Sequence, residues 1–158
     1  LKEWKAKFYI AHRITNRHYI RDTVCPKLQK AGYFTVNPFY TLSGKPRKIR
    51  WEIAAIDQGS INPYKIVKDF KRSKEIVGYD LSKIVNADGL VCFMNEASIG
   101  ASMEIFFCAH VLGKPIYIVT EKYSSHPWLI YYTTITKGFI VPSLNKLIKE
   151  LNKIYEDK

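Results

Sequence analysis

The chain of 158 residues has no run of eighteen apolar residues and no charged-then-apolar leader at its amino end, so neither a membrane span nor a secretory signal is expected. Leu1 as first residue implies that the sequence begins inside its gene product. Cysteine is scarce: Cys25, Cys92 and Cys108 are odd in number and widely spaced. That spacing excludes a disulfide framework and a metal-type pair, and it predicts buried thiols in a reducing, cytoplasmic compartment. Acids are few as well, fourteen against twenty-five lysines and arginines, for a net charge of +11. Such a surface attracts anions and raises their encounter rate, which suits nucleotides and nucleic acid alike. The densest basic stretches, 45–50 and 65–74, carry no recognised nucleic-acid motif, so nucleic acid is a possible partner but not the favoured one. Internal repeats and low-complexity tracts are absent too.

What is present is a globular composition, 47% apolar and 14% aromatic, of a length that fits one domain over 1–158. Short apolar runs predict strands at 7–11, 33–36, 89–93, 114–119 and 139–141. Helical patterns lie between them, at 19–31 with Pro26 as a kink or break, at 63–85 with Pro63 near the first turn, and at 143–156. Another begins after His126-Pro127-Trp128 with Ser124 or Ser125 as cap. The alternation predicts an α/β, flavodoxin- or Rossmann-like parallel sheet of five strands in order 2-1-3-4-5, helices on both faces. Residues 37–62 are the least regular, rich in proline, glycine and basic side chains. They read as a lid or substrate-side loop with a short helix near 51–56.

The chain is organised around Ala97-Ser98-Ile99-Gly100-Ala101-Ser102-Met103-Glu104 and the apolar run behind it, closed by Gly113-Lys114-Pro115. With Ser98 as N-cap the helix runs from about 99 to 112, and Glu104 is its only acid. A lone carboxylate on such a helix is paired, protonated or functional, because a buried charge without a partner costs several kcal/mol. Gly100 and Ala101 lie one turn before it on the same face and leave room for a ligand. Ser98 and the free amides of the first turn form an anion site roughly 9 Å away. Close packing on a strand and an ion pair at a subunit contact explain the same residues equally well. Asp80 sits about 12 Å back along its helix from the strand at 89–93, level with that strand's far end, whereas Asp88 is a turn residue at the near end. An exposed acid paired with Lys74 or Lys83 is the alternative for Asp80. His12 and Arg13 follow the first strand at its carboxyl end, where they can meet a phosphate or a base.

Asp80-Leu81, Ala87-Asp88-Gly89-Leu90-Val91, Ser98 through Glu104, Ala109 and Gly113-Lys114-Pro115-Ile116 together resemble the nucleoside 2-deoxyribosyltransferase superfamily. Their ungapped spacing is most similar to the 2′-deoxynucleoside 5′-monophosphate N-glycosidase branch. Two positions depart from it: Ser102 stands where many members have a second glycine and is expected to narrow the pocket, and His12 stands where the nucleotide branch often has serine. The resemblance implies that Glu104 is a nucleophile that forms a glycosyl-enzyme. It implies that Asp80 protonates the leaving base or holds the sugar. Serine at position 98, where transferases acting on free nucleosides commonly carry aspartate, implies a phosphate-bearing substrate. Tyr9 is implied as a partner of Glu104, with a core tyrosine as the alternative. His126 and Trp128 are implied to close the pocket from the same or a neighbouring subunit of a homodimer or higher homo-oligomer. The expected activity is cleavage of the base–sugar bond of a nucleoside 5′-monophosphate, by hydrolysis or base exchange, without metal or organic cofactor. An NAD-type glycohydrolase and a non-catalytic nucleotide-sensing or nucleic-acid-binding domain are the alternatives.

Overall fold

Strands form where the sequence is apolar without interruption, because a parallel strand between two helical layers is buried on both faces. In a computed structural model that describes residues 2–60, 62–63 and 67–156, these are β1 (Ala6–His12), β2 (Tyr33–Val36), β3 (Gly89–Phe93), β4 (Ile116–Val119) and β5 (Phe139–Val141). All pairings are parallel and the order is β2-β1-β3-β4-β5, as the alternation of elements predicts. Successive side chains of β1 serve opposite layers. Phe8 and Ile10 join a core with Ile20, Leu28, Leu147 and Leu151, while Tyr9 and Ala11 join one with Ile84, Ala101, Ile105 and Leu129. Tyr9 therefore points at the layer that carries Glu104.

The first helical run begins at α1 (Arg17–Tyr19), widens into a π-helical turn over Ile20–Val24 and continues as α2 (Cys25–Lys30). Pro26, in the first turn of α2, has no N–H for the carbonyl four residues back, and the widened turn precedes it. Residues 37–60 fold on a small core of their own, Phe39, Tyr40, Ile53 and Ile56. The Asn37 side-chain oxygen accepts from the Phe39 and Tyr40 amides at 2.9 and 3.3 Å, and α3 (Glu52–Asp57) follows a 3-10 turn at Lys48–Arg50. Asp57 ties this segment to α1, accepting from Arg17 Nε at 2.7 Å and from the Tyr40 hydroxyl at 2.6 Å.

Two helix starts differ from the sequence reading. The helix expected from Pro63 is α4 (Phe70–Val85), because Asp69 caps it by accepting from the Arg72 amide at 2.8 Å; residues 64–66 of the expected helix, and residue 61 of the expected loop, lie outside the described residues. The helix before β5, α6 (Pro127–Ile135), is capped not by Ser124 or Ser125 but by His126, whose Nδ1 accepts from the Trp128 amide at 3.3 Å. Ser98 caps α5 (Ile99–Phe106), which continues through a π-helical turn to Val111, and Ser143 caps α7 (Leu144–Tyr155). Gly138 permits a close approach: a Cβ there would lie 1.7 Å from the Ile116 carbonyl oxygen. All three cysteines are buried free thiols. Among the described residues no helix is long and apolar enough to cross a membrane.

Candidate active site

Strand order reverses at β1, with β2 on one side and β3 on the other. In an open parallel sheet the crevice beyond the carboxyl ends at such a reversal is where ligands bind. A cavity of about 570 Å³ occupies it. Tyr9, His12 and Arg13 enter from β1 and its turn, Pro38, Phe39 and Arg50 from the 37–60 segment, Asp80 from α4, and Ser98, Gly100 and Glu104 from α5. Asp88 is at the other end of the sheet, where its carboxylate accepts from the Lys7 amide at 2.8 Å.

Glu104 and Asp80 are the two acids of the cavity. The hydroxyl of Tyr9, itself fully buried, donates to Glu104 Oε2. Among the described residues Asp80 Oδ1 is buried without a hydrogen-bond partner, and no ion pair joins Asp80 to Lys74 or Lys83. Burial is the main cause that lifts both carboxyls above their ordinary range, Asp80 to about 6 and Glu104 to about 8; the Asp80 charge adds to the rise of Glu104, while Arg50 opposes both. Such a pair holds one proton between its members over that interval. It offers one carboxylate and one carboxylic acid at neutral pH.

His12 is 4% exposed, and its Nδ1 lies 2.8 Å from the Ile10 carbonyl oxygen. A carbonyl only accepts, so Nδ1 carries the proton and Nε2, buried and unpartnered, presents a lone pair. Burial holds the ring neutral, with its pKa lowered to about 4. A neutral lone pair repels a phosphate oxygen, so of the phosphate and the base expected for His12 only the base fits. The Phe39 ring stands edge-on to the imidazole, centroids 5.0 Å apart.

At the start of α5 the Ser98 oxygen accepts from the Ala101 amide at 3.3 Å, which leaves its own proton for a ligand. A Cβ on Gly100 would meet nothing within 4 Å, so the open strip before Glu104 is real space. Three expected residues of this chain do not line this cavity. His126 spends Nδ1 on capping α6 and lines a separate apolar cleft of about 520 Å³ with Trp128 and Phe106, and Ser102 turns into that same cleft rather than narrowing the site. Among the described residues no cluster of acid, thiol and imidazole groups converges to hold a metal ion.

The sequence reading missed Arg50. Its side chain is 8% exposed, its Nε donates to Glu52 Oε1 at 2.8 Å and its guanidinium lies 4.7 Å from the Phe39 ring centroid. Glu52, 1% exposed, also accepts from Arg72 of α4, whose guanidinium bonds the Ile49 carbonyl at 2.6 Å. Burial works to raise the Glu52 pKa, but bonds from its own backbone amide and from Arg50 and Arg72 outweigh it, and the carboxyl stays below its ordinary range. An acid two positions after an arginine in an otherwise basic stretch was the available signal.

No family model matches the chain, and no curated protein matches its sequence. A solved structure does. The CMP N-glycosidase BcmB of Clostridium botulinum aligns with a TM-score of 0.54 at 14% identity, over 94% of this chain and 98% of its own. This chain has the fold of that enzyme. At 14% identity the likeness to BcmB is one of fold, and it runs nearly the whole length of both chains.

Proposed function

We propose that the chain cleaves the N-glycosidic bond of a nucleoside 5′-monophosphate, with Glu104 as nucleophile and Asp80 as proton donor. The observation that carries this reading is the pair of acids in one cavity, both lifted by burial, one of them bonded by the Tyr9 hydroxyl. Between about 6 and 8 the proton rests mainly on Glu104; the productive form is the minor arrangement in which it has passed to Asp80 and Glu104 is the carboxylate, whose charged state the Tyr9 hydrogen bond favours. Glu104 attacks C1′, the electron pair of the C1′–N bond leaves with the base, and Asp80 supplies the base with a proton. Water, or a second base, then attacks C1′ of the glycosyl-enzyme, the C1′–O bond to Glu104 breaks with its electron pair returning to the carboxylate, and the attacking group gives a proton to Asp80. The 5′-phosphate lies at the amino end of α5, against Ser98 and the free amides of the first turn, with Arg13 nearby. BcmB is named for its action on CMP, which makes CMP the first substrate to try.

Two further parts belong to this reading. The 37–60 segment acts as a substrate-side wall or lid, supported by Pro38, Phe39 and Arg50 in the cavity lining. A second copy of the chain covers the apolar face that carries exposed Phe106, Trp128, Tyr131 and Ile135. Sedimentation at micromolar concentration is expected to show a dimer or larger assembly, and a monomer would overturn that part.

The deciding assay incubates the protein and Glu104→Gln with ribo- and deoxyribonucleoside 5′-monophosphates, free nucleosides and NAD, following base release with and without an acceptor base. Release from a monophosphate that disappears in the variant is the expected result. Release of nicotinamide alone, or binding without any turnover, would replace the proposal by a glycohydrolase or a sensing domain respectively.

A further inference from the structure

Arg50 does more in this cavity than a structural ion pair requires. Glu52 engages only its Nε, and no hydrogen bond within the described residues occupies the two terminal NH2 groups, although the side chain is buried and lines the site. Holding a guanidinium there is costly in conformational freedom and in desolvation, and the structure meets that cost with a dedicated clamp: Glu52 between Arg50 and Arg72, with Arg72 anchored to the Ile49 carbonyl and stacked 4.9 Å from the Trp51 ring. Phe39 stands between Arg50 and His12, with its ring against both. An aromatic wall flanked by a fixed donor and a fixed lone pair is a site for a flat heterocycle with hydrogen-bonding edges.

We propose that Arg50 is a further catalytic residue, which donates its terminal N–H groups to the carbonyl oxygen beside the glycosidic nitrogen of the departing base. The proposal rests on the N-glycosidase reading and names the group that carries the leaving electrons. As Glu104 bonds to C1′, the electron pair of the C1′–N bond passes to the base nitrogen and delocalises onto the adjacent carbonyl oxygen. Arg50 stabilises that developing oxyanion until Asp80 gives the base its proton, so charge and atoms balance with no further reactant. The base is then a pyrimidine, whose C2 carbonyl adjoins the glycosidic nitrogen; a purine has no carbonyl there.

The variants are Arg50→Gln and Arg50→Lys. Both leave Glu52 paired with Arg72, so the clamp survives, and thermal melting checks this. The substrates are the 5-fluoro, unsubstituted and 5-methyl forms of the pyrimidine monophosphate that the wild type cleaves, in order of worsening leaving group. In Arg50→Gln, kcat is expected to fall about 10²-fold on the unsubstituted substrate with KM changed little. The loss is smaller for the 5-fluoro form and larger for the 5-methyl form, and Arg50→Lys recovers part of the rate. An equal loss on all three substrates, or none, would overturn the role of Arg50 while leaving the glycosidase reading intact. Cleavage of purine substrates alone by the wild type would also overturn it, and no base release at all would mean that the underlying reading has failed.

Discussion

At the scale of single residues, Asp80 and Glu104 as a pair carry one proton between about 6 and 8, and the pH dependence expected of the proposed reaction follows from that. Below about 6 both Asp80 and Glu104 are protonated and the nucleophile of the proposed mechanism is missing; above about 8 both are ionised and its acid is missing. A plot of kcat/KM against pH is expected to be a bell with limbs near those values, and a flat profile from pH 5 to 9 would contradict it. The same shift costs stability. Glu104 keeps its proton to about 8 in the folded protein, whereas the unfolded chain releases it near the ordinary carboxylate value, so stability falls as pH rises between the two. Glu104→Gln is therefore expected to raise Tm by roughly 2–6 °C at pH 8 and to leave it unchanged at pH 4. Gly100 offers a third test at this scale. A methyl group there meets no protein atom but occupies the strip beside Glu104, so Gly100→Ala should melt like the wild type and raise KM severalfold. Equal KM values would show that the substrate does not use the strip. Ser98 and Glu104 were legible in the sequence because cap, spacing and apolar surroundings are local signals. Arg50 was not, since its burial depends on Glu52 meeting Arg72 across twenty residues of chain, and no periodicity records that.

At the scale of elements, α4 and the 37–60 segment act as one wall because Glu52 joins them. Removing the carboxylate leaves two arginines facing each other out of water, at a cost of about 3–5 kcal/mol. Glu52→Ala is thus expected to lower Tm by about 10 °C and to raise KM, which a melting curve and steady-state kinetics would show; a variant as stable as the wild type would remove the clamp from the account. The strands and most helices were legible from apolar runs and periodicity. The start of α4 was not, because Pro63 suits a first turn as well as Asp69 does, and the choice falls to the Asp69 cap on Arg72. Within its own chain His126 stays out of the cavity for a related reason: in the sequence it flanks a helix near the site, and only the fold shows its Nδ1 taken up by that helix.

At the scale of the molecule, the net charge of +11 acts on encounter rather than on chemistry. Raising ionic strength from about 20 to 300 mM shortens the screening length several-fold, so kcat/KM for a doubly charged monophosphate should fall roughly three- to tenfold. The matching free nucleoside should show no such fall, and parallel behaviour of the two would assign the charge to some other purpose. The single helix α4 also carries Arg72 and Asp80 eight positions apart, a little over two turns. Adding or deleting one residue between them would turn one relative to the other by about 100° and pull Asp80 away from the cavity or Arg72 off its clamp. In that interval Lys74 and Gly78 are exposed and line no part of the cavity, whereas Ile76 and Val77 line it and Glu75 accepts from Arg72 at 3.2 Å. The interval is therefore a spacer whose length is fixed while its letters are free to drift at Lys74 and Gly78 alone, and a library of substitutions and single-residue indels across it would separate the two.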